Sequence, residues 1–171
     1  MEHAAKDDAV VTIAAIGQER LDELRDLWLA LHRYHGEIGS HPLVGDETAS
    51  WESRHALYDA WLRFHEGFIL LAERDSQPVG YAAVHLNDGP DDTYPVAARW
   101  AEIYSLSVIP TARGQGIGTR LLDAVDETLA AMDIIDVAVS AMVENEEALR
   151  LYRTRGFVPR EVFLFRFVVT E

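Results

Sequence analysis

The chain has 171 residues, 49% of them hydrophobic, which suits one globular domain over residues 1–171 that buries its own core without metal or disulfide staples. It contains no cysteine, so a disulfide framework, a thiolate zinc site and a cysteine nucleophile are excluded, and a reducing compartment fits. With 29 acidic and 15 basic residues the formal net charge is −14, which argues against a nucleic-acid surface, where clustered Lys and Arg neutralise phosphates, and would draw in cationic molecules.

Residues Met1 to Asp8 hold no apolar core of signal-peptide length. No run approaches the ~18–20 apolar residues of a membrane span, so a cytoplasmic protein without a membrane partner is expected. Val10, Val11, Ile13 and Ile16 read as a first strand that ends near Gly17. Leu21, Leu24, Leu27, Trp28 and Leu31 then form one apolar helical stripe, with Gly36 as a stop. Glu37 to Ser50 is polar and turn-rich and reads as a loop. A second helix, Trp51 to Glu66, is expected to bury Leu57, Ala60, Trp61 and Phe64. Phe68–Ala72 and Val79–Leu86, separated by Asp75-Ser76-Gln77-Pro78, read as an antiparallel hairpin.

After the loop at Asn87–Asp92, a strand beginning beyond Pro95 shows the alternation Ile103, Ser105, Ser107 against Tyr104, Leu106, Val108 and stops at Pro110. Ile117, Leu121, Leu122, Val125 and Leu129 repeat at helical spacing. Val137–Val143 reads as a strand and Asn145–Arg155 as a helix closed by Gly156. Val162–Val169 reads as one or two closing strands. The resulting order is β-α-α-β-β-β-α-β-α-β, an α/β arrangement whose sheet is mixed because hairpins need antiparallel neighbours and strand–helix–strand units need parallel ones.

Arg113-Gly114-Gln115-Gly116-Ile117-Gly118-Thr119 joins a strand to a helix. A helix N-terminus offers unpaired N–H groups and the positive end of the macrodipole, so glycines there let phosphate oxygens approach the backbone. No lysine follows, as a nucleotide-triphosphate loop would require, and glycines spaced by two do not fit the dinucleotide fingerprint. Arg113, Gly116 and Gly118 do fit Arg/Gln-x-x-Gly-x-Gly/Ala at the mouth of a helix. The segment Asn145-Glu146-Glu147-Ala148-Leu149-Arg150-Leu151-Tyr152-Arg153-Thr154-Arg155-Gly156-Phe157 follows, in the pattern Asn-x-x-Ala-x-x-Leu-Tyr-x-x-x-Gly-Phe.

Taken in this order, the two segments resemble the GCN5-related N-acetyltransferase superfamily. The specific likeness covers residues 101–157, and the first 66 residues agree only as strand–helix–helix. The resemblance implies a central mixed, mostly antiparallel sheet of about six to seven strands flanked by four helices. It implies acetyl-coenzyme A as co-substrate, with its diphosphate held by Arg113 and the backbone from Gly114 through Gln115, Gly116, Ile117 and Gly118 to Thr119, and with Asn145 as a further cofactor-binding residue. Main-chain atoms of Leu106 and Val108 would pair with the pantetheine arm.

Tyr152 falls where these enzymes place a tyrosine that protonates the departing thiolate, although its place on an apolar helix face suits packing equally well. Glu102 falls at the offset of a general-base glutamate, and simple alternation puts it on the same side as Tyr104, Leu106 and Val108; a solvated residue at a strand start is the plainer reading. Tyr34, His35 and Tyr104 are candidates for the acceptor pocket. His32 and His35 are spaced like metal ligands but lack convergent partners, so no metal is expected.

The implied reaction is acetyl transfer to a primary amine by direct attack in a ternary complex. The charge of −14 motivates a cationic acceptor: a polyamine, an aminoglycoside-like amine, or a lysine or N-terminal amine of a peptide. The alternative is a non-catalytic acyl-coenzyme A binding module of the same fold. A homodimer is a family habit.

Overall fold

The computed structural model describes residues 10–39, 45–89, 91–164 and 166. Strands β1 (Val11–Ala15), β2 (Gly67–Arg74), β3 (Gln77–Asp88), β4 (Arg99–Val108) and β5 (Val137–Val139) form one sheet in chain order. The first four run antiparallel and β5 joins β4 in parallel. Helices α1 (Arg25–Ile38) and α2 (Glu47–Phe64) cover one face over Ile69, Leu71, Tyr81 and Ala83. Helices α3 (Ile117–Ala131) and α4 (Glu146–Thr154) cover the other, over Phe68, Leu70, Ala82 and Val84. The expected mixed, mostly antiparallel sheet with four helices is present, with five strands among the described residues instead of six to seven. The difference falls at the expected closing strands: Val162–Leu164 and Arg166 belong to no strand, and residues 165 and 167–171 lie outside the described residues.

Local chemistry accounts for most boundaries. Asp75 and Ser76 turn the β2–β3 hairpin with φ of 52° and 61°, the left-handed pair of a tight two-residue turn. A 3-10 turn over Gln18–Leu24 leads into α1, which runs through Gly36; Gly39 N–H closes it on the His35 carbonyl at 3.0 Å. α2 starts four residues before the expected Trp51, because Asp46 caps it by accepting from Ala49 N–H at 2.9 Å. Its buried stripe is Trp51, Tyr58 and Trp61, whereas Phe64, expected inside, is 65% exposed.

β4 departs from simple alternation. Ser105 pairs with Ala83 and Ile103 with Val84, so Tyr104 is an extra residue without a partner on β3, a β-bulge. Before the bulge Ala101 and Ile103 pack on the α3 side. After it Ser105 and Ser107 face α1 and α2, where Ser105 Oγ accepts from the Tyr58 hydroxyl at 2.8 Å and Ser107 Oγ donates to the Leu27 carbonyl at 2.9 Å. Leu106 and Val108 pack toward α3. Glu102 is paired across from His85 and therefore shares the α1–α2 face with it and with Tyr104, opposite to Leu106 and Val108. The alternation expected from sequence is corrected at this point by one inserted residue.

Candidate functional site

β5 pairs with β4 only through Val137–Val139 against Ala101–Ile103, so the two strands part beyond Ile103 and leave one edge of β4 bare. Ile109 N–H donates to the Val79 carbonyl at 3.0 Å, which fixes the direction of its neighbours. Backbone groups alternate in direction along a strand, so the N–H and C=O of Leu106 and Val108 point to the bare edge. That edge lines a cleft of about 230 Å³, whose other walls include the glycine turn, Tyr34, Asn145 and Tyr152.

The three glycines at the mouth do different things. Gly114 and Gly116 have φ of 71° and 77°, which L side chains rarely adopt, and a Cβ at either would meet nothing within 4 Å. The turn is therefore open, and its shape alone demands glycine. Gly116 is the N-cap of α3 and its carbonyl accepts from Arg120 N–H at 3.0 Å. Gly118 lies in the first turn, where a Cβ would stand 3.6 Å from Leu151. Ile117 buries its side chain in the core at 2% exposure, so only its backbone is available, while Gln115 and Thr119 are exposed.

Arg113 is fixed from two sides. Its Nε donates to the Val108 carbonyl at 3.1 Å, and its guanidinium carbon lies 4.5 Å from the centre of the Tyr34 ring. A second cation, missed in the sequence, reaches the turn from β2: Arg74 Nη2 donates to Gln115 Oε1 at 2.6 Å, while its Nε is buried without a hydrogen-bond partner. Nothing in the local sequence marks Arg74; only the sheet brings the end of β2 to this turn.

On the α4 wall, Asn145 Oδ1 caps the helix by accepting from Ala148 N–H at 3.1 Å. Tyr152 is 8% exposed and its ring meets Phe157 edge-on at 5.7 Å. Burial pushes its hydroxyl up to about 12, so it keeps its proton at neutral pH.

The other face of the sheet carries an aromatic group. His85 stacks on Trp61 at 4.6 Å, Tyr104 meets Trp61 edge-on at 5.0 Å, and Arg54 lies 4.0 Å from the Trp28 ring and 4.7 Å from that of Tyr104. His35 is held below the usual histidine range by burial first, then by the charges of His32 and Arg54. His32 itself contacts the Gly45 carbonyl at 3.1 Å and Ser50 Oγ at 3.2 Å, and no metal-binding group of three side chains occurs among the described residues. The three acceptor candidates thus divide: Tyr34 lines the cleft with Arg113, while His35 and Tyr104 lie near Arg54. Glu102 and Tyr152 belong to opposite faces of the sheet, beside the fork where β4 and β5 separate.

Residues 21–157 match the Acetyltransferase (GNAT) family. The chain belongs to this family. A mycothiol acetyltransferase of Sanguibacter keddieii is 34% identical over 131 residues, which is 76% of this chain and 39% of that protein; the chain spans well under half of that relative. A GCN5-related N-acetyltransferase from Ralstonia eutropha shares the GNAT fold with a TM-score of 0.74 at 19% identity, covering 92% of this chain and 99% of that one. A protein of Clostridium acetobutylicum described as a predicted acetyltransferase, solved with acetyl-CoA, superposes at a TM-score of 0.71 and 18% identity over 92% and 96% of the two chains. In this GNAT protein the open turn, Arg113 and the bare edge of β4 are chemically suited to a diphosphate carrying an amide-rich arm. No helix among the described residues is long and apolar enough to cross a membrane.

Proposed function

We propose that this GNAT protein transfers the acetyl group of acetyl-CoA to a primary amine of a small molecule or peptide, by direct attack in a ternary complex. The observation that carries the reading is the single cleft that joins the open glycine turn, the outward backbone of Leu106 and Val108, and the buried hydroxyl of Tyr152.

Acetyl-CoA supplies the thioester. Arg113 and the N–H groups from Gly114 to Thr119 hold its diphosphate, and Asn145, by starting α4, sets where Tyr152 stands. An amine attacks only when neutral, yet an alkylamine with a pKa near 10 is almost wholly protonated at pH 7. Glu102 takes that proton, directly or through water, from the α1–α2 face. The nitrogen forms its bond to the carbonyl carbon, the carbon–sulfur bond breaks as the sulfur receives the Tyr152 proton, and the second proton of the nitrogen passes through water to the phenolate, which restores Tyr152 and leaves a neutral amide. N–H groups on the bare edge of β4 polarise the carbonyl. The net charge of −14 favours arrival of an ammonium group.

Thiol release measured across a panel of amines tests the reading. Glu102→Gln and Tyr152→Phe are expected to bind acetyl-CoA normally and lose turnover by roughly 10²-fold at neutral pH. Rising pH should partly restore Glu102→Gln, because hydroxide then removes the proton. Unchanged turnover in Tyr152→Phe would remove the acid assignment. Tight acetyl-CoA binding without thiol release from any amine would leave a binding module.

A further inference from the structure

Arg54 occupies a position where a surface arginine does not belong. It continues the stripe of Trp51, Tyr58 and Trp61 at helical spacing, so it points inward from α2 and not to solvent. Its guanidinium lies against Trp28, Tyr104 and, at 5.6 Å, Tyr58. Nη1 is buried and has no hydrogen-bond partner.

The chain has carboxylates to spare, with 29 acidic residues. Arg20, Arg25, Arg33, Arg63, Arg99 and Arg155 each stand within 4.0 Å of one. Among the described residues Arg54 makes no ion pair, and its aromatic surroundings leave Nη1 without a partner. A guanidinium with a buried, unpaired donor suits a planar, two-oxygen partner. Tyr104, which shares contact with Arg54, is the bulge residue at the fork and is 42% exposed, so the guanidinium adjoins the place where the amine would meet the thioester.

We infer that Arg54 receives the carboxylate of the acceptor, which makes the acceptor an amino-carboxylate: a zwitterion whose ammonium end faces Glu102 and whose carboxylate end faces Arg54. This deepens the transfer reading above and rests on it. A zwitterion has zero net charge, so the wider field neither repels nor holds it, and the pull that −14 would exert on a purely cationic amine does not apply to this acceptor. The carboxylate is unchanged by the reaction; its contribution is binding and orientation, so its loss should raise KM more than it lowers kcat.

The test compares amino acids and longer ω-amino acids with their own carboxamides, which keep the amine and lose the negative charge. Wild type is expected to favour acids over amides by at least tenfold in kcat/KM for the best chain length, and Arg54→Gln to bring that ratio close to one. Arg54→Lys should restore only part of it, because a point charge replaces the fork. Equal use of acids and amides by wild type, with thiol release intact, overturns the role of Arg54 and keeps the transfer reading. Calorimetric titration of the coenzyme A complex with the same acids and amides reads Arg54 without turnover. Acid-selective binding with no thiol release would support Arg54 and overturn the transfer reading. Arg54→Gln that melts at a lower temperature but retains the acid preference would make Arg54 a packing residue only.

Discussion

The Arg113 guanidinium lies across the ring of Tyr34, 4.5 Å from its centre, and so ties α1 to the glycine turn. The same Arg113 donates to the carbonyl of Val108, so one side chain connects three parts of the cleft wall. Arg113→Lys keeps the charge but loses both the planar stacking and the Nε donor. Weaker coenzyme A binding by roughly tenfold is expected in calorimetry, with Tyr34→Leu weaker by a few-fold because about 0.5–1 kcal/mol of cation–π attraction is removed. Equal affinities in wild type and Arg113→Lys would show that charge alone matters there.

Gly116 and Gly114 separate conformation from crowding. A methyl group fits at either position, since nothing lies within 4 Å of its place, but both residues have positive φ. Gly116→Ala is expected to cost about 1–2 kcal/mol through backbone strain alone and to weaken coenzyme binding as the N-cap of α3 shifts. Thermal melting with and without coenzyme A checks both parts.

Asn145 both lines the cleft and caps α4. Asn145→Asp retains a capping oxygen and so should keep stability, but brings a negative charge beside an anionic coenzyme. Asn145→Ala should lose about 1 kcal/mol of stability through the missing cap. Coenzyme affinity falling in the Asp variant and melting temperature falling in the Ala variant would separate the two roles. If both properties fall together in each variant, the cap alone explains the residue.

Three tyrosine hydroxyls make the fold sensitive to alkali. Burial raises Tyr58, pushes Tyr81 well above the usual phenol value and takes Tyr152 to about 12. In the unfolded chain these phenols ionise near pH 10. The folded state therefore holds protons that the unfolded state has released, so this stabilisation is complete below about pH 10 and disappears as pH climbs toward 12. Tyr152 alone accounts for on the order of 2–3 kcal/mol of that loss. Chemical denaturation at stepped pH should show the decline, and Tyr152→Phe should reduce it. Turnover carried by Tyr152 should show no ionisation of this group below about pH 10.

The turn and helix starts that wall the cleft are legible in the sequence because they depend on local chemistry. A glycine turn, an arginine and an N-capped helix with an inward tyrosine each leave marks at short spacing. The arrangement on the other face of the sheet is not, for two physical reasons. Tyr104 is an acceptor-pocket candidate in the sequence, but simple alternation hides its bulge: the apolar positions packed toward α3 run 101, 103, 106, 108, and the step of three between Ile103 and Leu106 is the inserted residue. Arg54 interrupts the stripe from Trp51 to Trp61, so the sequence pattern favours Leu57, Ala60, Trp61 and Phe64, of which Trp61 is buried, Leu57 is partly buried and Phe64 is exposed. Arg74 left no mark at all, because its relation to Gln115 exists only once β2 lies beside the turn.

The bare edge of β4 has a consequence for the life of the protein between turnovers. The outward N–H and C=O of Leu106 and the N–H of Val108, whose carbonyl is held by Arg113, are a template for any passing strand, including one from another copy of the same chain. A bound pantetheine arm would satisfy those groups, so coenzyme scarcity should bring stickiness as well as inactivity. Light scattering during storage should rise faster in the free protein than with coenzyme A present, in which case a bound coenzyme would guard solubility too.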